Sequence, residues 1–226
     1  MTGAKLSVSI TELIELPLFG PGHSGNNDDL ESGCELARKQ GFAAVIVAPC
    51  DLDQAARWVN SPLQLATVID ATATTSVKGF ATRDAVRRGA REIGTVINSR
   101  KLRSRQFQYL EMELTQMAEA CHESGARLKV HIESENLDGE LKILACRISR
   151  RAGADWLATN NAADLPLLRE HAREKFQLKF AGPVSSLEEL LALRDAGCTR
   201  VETPDPMPLV TAWQAAQQAE QQARQT

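Results

Sequence analysis

Lys179 is the residue of this chain with the clearest capacity for chemistry. It lies in the apolar run FQLKFAGPV, from Phe176 to Val184, which a Gly-Pro pair ends. Because alternate side chains of a strand share one face, Lys179 lies on the opposite face from Leu178 and Phe180 and is predicted to point into a barrel or sheet interior. Such a lysine either forms a structural ion pair or has a lowered pKa, and a lysine amine with a lowered pKa can act as a nucleophile or base.

Further polar side chains are predicted to face the same interior. In the strand RLKVHIES, from Arg127 to Ser134, the alternation puts Lys129, His131 and Glu133 on one face. Polar residues near the ends of other predicted strands could join them, namely Glu15, Asp70, Asn98, Asn160 and Glu202. Two interpretations stay open: a self-neutralising network of buried charges, or a site at which groups from several strands converge.

His131 and the cysteines give little indication of a metal site. A lone histidine is more typical of a hydrogen-bonded core residue, and a site built from His131 with two or three carboxylates is not required by any spacing here. The five cysteines, Cys34, Cys50, Cys121, Cys146 and Cys198, show no C-x-x-C spacing and their number is odd. We therefore predict no metal, no disulfide framework and no cofactor.

The composition is that of an ordinary globular protein. The chain has 226 residues, 43% of them hydrophobic and 24% charged, with a net charge of -3. This charge argues against a nucleic-acid-binding surface. No apolar run approaches the length of a membrane span, and the sequence MTGAKLSVSI lacks the sections of a signal peptide. We expect a cytoplasmic protein with no membrane or nucleic-acid partner.

Strand and helix patterns alternate regularly along the chain. Eight predicted strands cover Leu13 to Leu18, Phe42 to Pro49, Gln64 to Asp70, Arg91 to Asn98, Arg127 to Ser134, Asp155 to Asn161, Phe176 to Val184 and Thr199 to Pro204. Each is followed by a predicted helix, with no break in composition, which indicates a single α/β domain over residues 1–226 folded as a (β/α)8 TIM barrel. A doubly wound open sheet is the alternative, but no G-x-G-x-x-G motif follows the first strand. In a barrel, the site would lie at the carboxyl ends of the strands.

Several stretches resemble the deoxyribose-phosphate aldolase family. They are ATVIDATATTSVKGFATRDAVRRGAREIGTVIN, LKVHIESENL, ISRRAGADWLATN and LKFAGPVSSLEELLALRDAGCTRVET, and the likeness extends from about Phe42 to Thr203. The resemblance implies a TIM barrel whose members often dimerise. It also implies a reversible cleavage of 2-deoxyribose 5-phosphate through a Schiff base on one lysine, helped by a second lysine and an aspartate.

The residues that the family uses are only partly present here. The position of the Schiff-base lysine is Ala158 and that of the aspartate is Gly94, whereas the helper lysine remains as Lys179. At the phosphate end, Pro183 replaces a glycine and has no N–H to donate. A segment with Glu202 and Asp205 replaces a Gly/Ser-rich loop and would repel a phosphate. We therefore expect little or no cleavage of deoxyribose 5-phosphate.

Three hypotheses remain from the sequence. In the first, the chain is a diverged carbon-carbon lyase acting on a small non-phosphorylated carbonyl compound, with Lys179 as the amine and a nearby Lys129 lowering its pKa. In the second, it is a catalytically silent barrel that binds a small molecule or a protein. In the third, the interior carboxylates hold a metal for a lyase or hydrolase reaction. The candidate catalytic residues are Lys179, Lys129, Glu133 and Glu15, and the candidate ligand-binding residues are Asp70, Asn98, His131, Asn160, Gly182 and Glu202.

Overall fold

Eight parallel strands form a closed barrel in which each strand pairs with its neighbours in chain order and β8 pairs with β1. The computed structural model describes residues 9–19, 27–173 and 175–225. The strands are β1 Ile14–Pro17, β2 Ala44–Val47, β3 Gln64–Ile69, β4 Glu92–Val96, β5 Arg127–Ile132, β6 Trp156–Thr159, β7 Gln177–Ala181 and β8 Cys198–Glu202. The predicted TIM barrel is confirmed. The sequence GPGHSGNN, from Gly20 to Asn27, is typical of a turn-rich loop, but its first seven residues lie outside the described part of the chain.

Helices surround the strands in the order expected for this fold. They are α1 Asn27–Gln40, α2 Leu52–Ala55, α3 Thr75–Arg87, α4 Ser99–Arg103, α5 Phe107–His122, α6 Gly139–Arg151, α7 Leu165–His171, α8 Leu187–Asp195 and α9 Met207–Gln225. None of them, in the part of the chain that the structure describes, is long and apolar enough to cross a membrane.

One helix boundary differs from the sequence pattern. The pattern predicts a single helix from Ser104 to Ser124, but the chain forms α4 first and begins α5 at Phe107. Arg105 lies between the two helices with a φ of 54°. A non-glycine residue in this left-handed region interrupts a right-handed helix, so α4 and α5 are separate.

The alternation of each strand divides its residues between the helices and the barrel interior, which we call the lumen. On β7, Leu178 and Phe180 belong to the apolar core beneath the helices, whereas Lys179 is buried among charged groups of the lumen. On the β2 and β3 side the lumen is apolar, with a small separate cluster formed by Ala44, Ile46 and Ala66. The chemistry is therefore concentrated on the remaining strands.

Candidate functional site in the barrel lumen

Lys179 is held between two carboxylates. Its Nζ atom lies 2.8 Å from Glu15 Oε2 and 2.6 Å from Glu202 Oε2, and its side chain is 1% exposed. Burial alone would lower the pKa of Lys179, but the charges of Glu15 and Glu202 outweigh burial and raise the pKa above its ordinary value. Of the two possibilities that the sequence leaves open for Lys179, the structure shows the ion pair, because two counter-ions stabilise the ammonium form.

Lys129 does not approach Lys179 as a helper cation. Its Nζ atom donates instead to Glu15 Oε1 and to Glu92 Oε2, and all three side chains are almost fully buried. Glu15 thus binds both lysines, one through each oxygen. The charges of these two lysines and their hydrogen bonds outweigh the effect of burial and hold the pKa of Glu15 below its usual range. Glu15 is the central residue of the network.

Two arginines and a tryptophan extend the network beyond the lysines. Arg127 contacts Glu92 at 2.9 Å, and Arg200 approaches Glu15 Oε1 at 3.3 Å. Both guanidinium groups lie near the ring of Trp156, at 4.7 and 5.6 Å from its centroid. Arg200 also donates to the main-chain oxygen of Glu12, which precedes β1, so this part of the network closes the amino-terminal end of the barrel.

The sequence prediction did not include Glu92, Arg127, Trp156 or Arg200. Strand alternation would have identified two of them. Glu92 precedes the core residue Ile93, and Arg200 precedes the core residue Val201, so both side chains lie on the lumen face as Lys179 does. The omission arose because the prediction concentrated on the carboxyl ends of the strands. At the opposite, amino-terminal end, Arg127 and Arg200 neutralise the charge of Glu92, and Trp156 packs against both guanidinium groups.

His131 lies on the lumen face of β5, beside Ala158 of β6 in the strand register. A Cβ atom built on Gly94 would come 3.5 Å from His131 Nε2 and 3.1 Å from Val68 Cγ2, so the imidazole ring covers Gly94. Burial lowers the pKa of His131 to about 4, and the charges of Lys179 and Lys129 act in the same direction. Glu202 and Glu15 oppose this effect but do not overcome it. The ring is therefore neutral at physiological pH.

Glu133 does not point into the lumen as the alternation predicts. Strand β5 ends at Ile132 and the chain turns at once into a short 3-10 turn, Ser134–Asn136. Glu133 is consequently exposed at the barrel mouth, where its Oε2 atom accepts hydrogen bonds from Ser99 and Asn136, each at 3.3 Å. It is a rim residue, and no described contact joins it to Lys179 or His131.

Three other predicted ligand-binding residues shape the loops of the rim. Asp70 is exposed and accepts from Thr72 N at 2.7 Å. Asn98 caps α4 by accepting from Lys101 N, and Asn160 donates to Glu135 Oε2 at 3.1 Å. Strand alternation ends where these loops begin, so their side chains lie outside the lumen cluster. Of the six predicted ligand-binding residues, the structure brings His131 and Glu202 together with Lys179.

Two of the backbone N–H groups after β7 are already bonded within the protein. Gly182 N donates to Glu202 O at 3.3 Å, and Ser185 N donates to Glu189 Oε2 at 2.8 Å. Ser186 accepts from Glu189 N and caps α8. Glu189 therefore places a carboxylate of the protein where the helix dipole would attract a ligand anion. Gly182 is not free to bind a ligand through its N–H.

The chain after β8 is equally unsuited to an anion. Its sequence, TPDPMP, from Thr203 to Pro208, has three prolines, none of which has an N–H to donate. Thr203 N is itself bonded to Glu15 O at 3.1 Å. Asp205 is exposed in this segment and adds a negative charge. Both loops that could cradle a phosphate thus have several of their N–H groups bonded or replaced by proline, and both carry acids.

The described residues contain no group of three or more histidine, cysteine, aspartate or glutamate side chains that could hold a metal ion. The lumen carboxylates Glu15, Glu92 and Glu202 each contact at least one lysine or arginine. A cation would have to displace these partners, so the arrangement favours an internal ion-pair network over a metal centre.

The pH dependence of stability should report the state of His131. Because the folded pKa of about 4 lies below the ordinary 6.5, the folded protein binds fewer protons than the unfolded chain between these values, and acidification favours unfolding. We expect the wild-type protein to lose about 2 kcal/mol of unfolding free energy between pH 7.5 and 5 through this group. Urea unfolding at both pH values should show a smaller loss in His131→Ile. Equal losses in the two proteins would mean that His131 is not responsible.

Comparisons with known proteins agree with the architecture. No family model matches the chain. Its sequence is 30% identical over 219 residues to the deoxyribose-phosphate aldolase of Caldanaerobacter subterraneus subsp. tengcongensis, covering 91% of this chain and 94% of that protein. It is 32% identical over 204 residues to the deoxyribose-phosphate aldolase of Clostridium perfringens, covering 85% and 90% of the two chains.

Solved structures give the same fold. An aldolase described as QR15 superposes with a TM-score of 0.85 at 22% identity, covering 94% of this chain and 99% of that one. The deoxyribose phosphate aldolase of Aeropyrum pernix, described as a tetramer, gives a TM-score of 0.79 at 20% identity and covers 92% of each chain.

Proposed function

This chain belongs to the deoxyribose-phosphate aldolase family, and from that premise we propose that it binds a small, non-phosphorylated carbonyl compound at the barrel mouth without cleaving 2-deoxyribose 5-phosphate. The main support for the proposal is the identity of residue 158 and the protonated form of Lys179. Ala158 occupies the position where the resemblance implies the Schiff-base lysine, and its neighbour in the register, Lys179, is held as an ammonium ion by Glu15 and Glu202.

Schiff-base formation needs a neutral amine, and the raised pKa of Lys179 disfavours this form at neutral pH. A lysine becomes nucleophilic when burial or a nearby cation lowers its pKa, and here the nearest charged groups are carboxylates. Lys129 is bound in the same manner between Glu15 and Glu92. Both lysines are therefore better suited to hold the lumen together, and Lys179 can also donate a hydrogen bond to a ligand.

The preference for a ligand without phosphate follows from the loops after β7 and β8. Gly182 N and Ser185 N are already bonded, Glu189 occupies the amino terminus of α8, and the segment after β8 is rich in proline and acids. A phosphate dianion entering this mouth would lose part of its hydration, and the carboxylates of these loops would repel it. A neutral carbonyl or hydroxyl group meets no such penalty.

One observation favours a second candidate, the lyase in which Lys179 itself reacts. Of its two counter-ions, Glu15 is fully buried, whereas the Glu202 side chain is 24% exposed at the mouth. A ligand that displaced Glu202 would remove one of the two charges that stabilise the ammonium form. Lys179 would then be closer to a reactive amine, although Glu15 would still hold a proton on it.

The matched pair 2-deoxyribose and 2-deoxyribose 5-phosphate tests the proposal. Isothermal titration calorimetry should detect binding of the free sugar to the wild-type protein and at least about tenfold weaker binding of its phosphate ester. An enzymatic assay for acetaldehyde should detect no release from either compound. Preferred binding or turnover of the phosphate ester would contradict the proposal, and turnover of the free sugar alone would favour the lyase.

We also propose that the chain self-associates, as the tetramer described for the Aeropyrum pernix aldolase supports. Sedimentation velocity measures the assembly directly. A monomer at micromolar concentration would contradict it.

A further inference from the structure

We propose that His131 is the residue that recognises the ligand, through hydrogen bonds from its neutral imidazole to an uncharged hydroxyl or carbonyl oxygen. This inference rests on the proposed function and names the group that gives the site its selectivity. His131 faces the lumen from β5, beside Ala158 and near the charged groups of Lys179 and Glu202.

The imidazole of His131 is available to a ligand. Among the residues that the structure describes, neither of its ring nitrogens makes a hydrogen bond, and its side chain is only partly buried. By contrast, the charged side chains around it, Glu15, Lys179 and Glu202, are all engaged in ion pairs. The ring nitrogens are therefore both accessible and without a partner in the described part of the protein, so they are free to form hydrogen bonds with a ligand.

The charges around the ring determine what it can bind. Lys179 and Lys129 face it as cations, and Glu202 and Glu15 face it as carboxylates, with burial as the dominant influence that keeps the ring neutral. A neutral imidazole offers one N–H donor and one acceptor nitrogen. This pair matches a hydroxyl group, or a carbonyl next to a hydroxyl, better than an anion, which could use only the donor and would face Glu202.

The absence of a side chain at Gly94 leaves the space that the imidazole ring of His131 occupies. A Cβ atom there would be 3.5 Å from His131 Nε2 and 3.1 Å from Val68 Cγ2, so a longer side chain could not share the space. Position 94 is where the family resemblance implies an aspartate. The stretch LKVHIESENL, which contains His131, resembles a family segment that reads L-K-V-I-I-E-T-G-E-L, with isoleucine in the place of His131. Gly94 and His131, the two residues that differ from the family, therefore lie next to each other. We infer that they changed together, so that a neutral hydrogen-bonding imidazole takes the place of a proton-transferring carboxylate.

The test combines binding of 2-deoxyribose with the NMR signals of the histidine rings. In protein labelled at the histidine ring, the His131 signal is assigned by its absence from His131→Ile. Addition of 2-deoxyribose should shift this signal, leave that of His122 unchanged, and bind at least about tenfold more weakly to His131→Ile. His122→Gln, at an exposed site on α5, is the matched control and should bind as the wild-type protein does.

The possible outcomes separate this inference from the proposed function. Equal binding of the sugar to the wild-type protein and to His131→Ile, or binding without a shift of the His131 signal, would overturn the role of His131 and leave a carbonyl-binding barrel. No binding of 2-deoxyribose, dihydroxyacetone or glyceraldehyde to the wild-type protein would overturn the proposed function and this inference with it. Stronger binding to His131→Ile would show that the ring obstructs the site, which also contradicts the proposal.

Discussion

Glu15→Gln should destabilise the protein by about 3–5 kcal/mol, because it leaves buried lysines without their shared counter-ion. Glu15 contacts Lys129 and Lys179, and its side chain is fully buried. The amide of glutamine fills the same volume but carries no charge, and its NH2 group would point a donor at one of the ammonium groups. Because Glu15, Lys129 and Lys179 are almost fully buried, bulk solvent cannot replace the lost charge, so the cost falls on the folded state. Urea unfolding followed by tryptophan fluorescence measures the loss.

Glu202→Gln is the matched control for this prediction. Within the described part of the chain, Glu202 forms an ion pair with Lys179 alone, and its side chain is 24% exposed, so water can replace part of the lost interaction. We expect a loss of about 1 kcal/mol, well below that of Glu15→Gln. If the two variants were equally stable, Glu15 would not be the central counter-ion of the lumen.

Restoring the implied catalytic groups should convert the barrel into an aldolase for the free sugar. The variant combines Ala158→Lys, Gly94→Asp and His131→Ile. The introduced lysine would lie beside Lys179, whose ammonium charge would lower the pKa of the new amine and favour its nucleophilic form. His131→Ile is required because the imidazole occupies the space above Gly94. Acetaldehyde release from 2-deoxyribose measures the gain.

The single substitution Ala158→Lys is the control for the restored enzyme. General acid-base catalysis contributes roughly 10²–10⁴-fold to such reactions, so the triple variant should exceed the single one by about this factor. The triple variant should also prefer 2-deoxyribose over its 5-phosphate, because the loops after β7 and β8 are unchanged. Equal and negligible release by the two variants would mean that the lumen differs from an aldolase in more than these three positions.

The sequence predicts the barrel and most of the lumen because strand alternation is a local property. Lys129, His131 and Lys179 sit where the alternation puts them, and the same rule applied to β4 and β8 would have predicted Glu92 and Arg200. The alternation fails at Glu133, Asp70 and Asn160, since each follows the last residue of a strand and belongs to a loop with its own hydrogen bonds. The positions of loop side chains depend on these hydrogen bonds and cannot be predicted from the two-residue alternation of a strand.

The protonation states could not be predicted from the strand pattern either. The pattern shows that Lys179 is interior, but whether its pKa rises or falls depends on which charges lie within a few ångströms. Glu15 is more than 160 positions away along the sequence, and only closure of β8 onto β1 brings it and Glu202 to the same ammonium group. These counter-ions raise the pKa of Lys179, whereas the lyase hypothesis from the sequence requires a lowered pKa.

Borohydride trapping on the wild-type protein tests most directly whether Lys179 is an ammonium ion or a reactive amine. The protein is incubated with acetaldehyde and with 2-deoxyribose at pH 7.5, reduced, and digested for mass spectrometry, with Lys179→Met treated in parallel. We predict no adduct on Lys179 or Lys129, while exposed lysines give the same low background in both proteins. An adduct on Lys179 that appears in the wild-type protein and is lost in Lys179→Met would contradict this account and establish Schiff-base chemistry on Lys179.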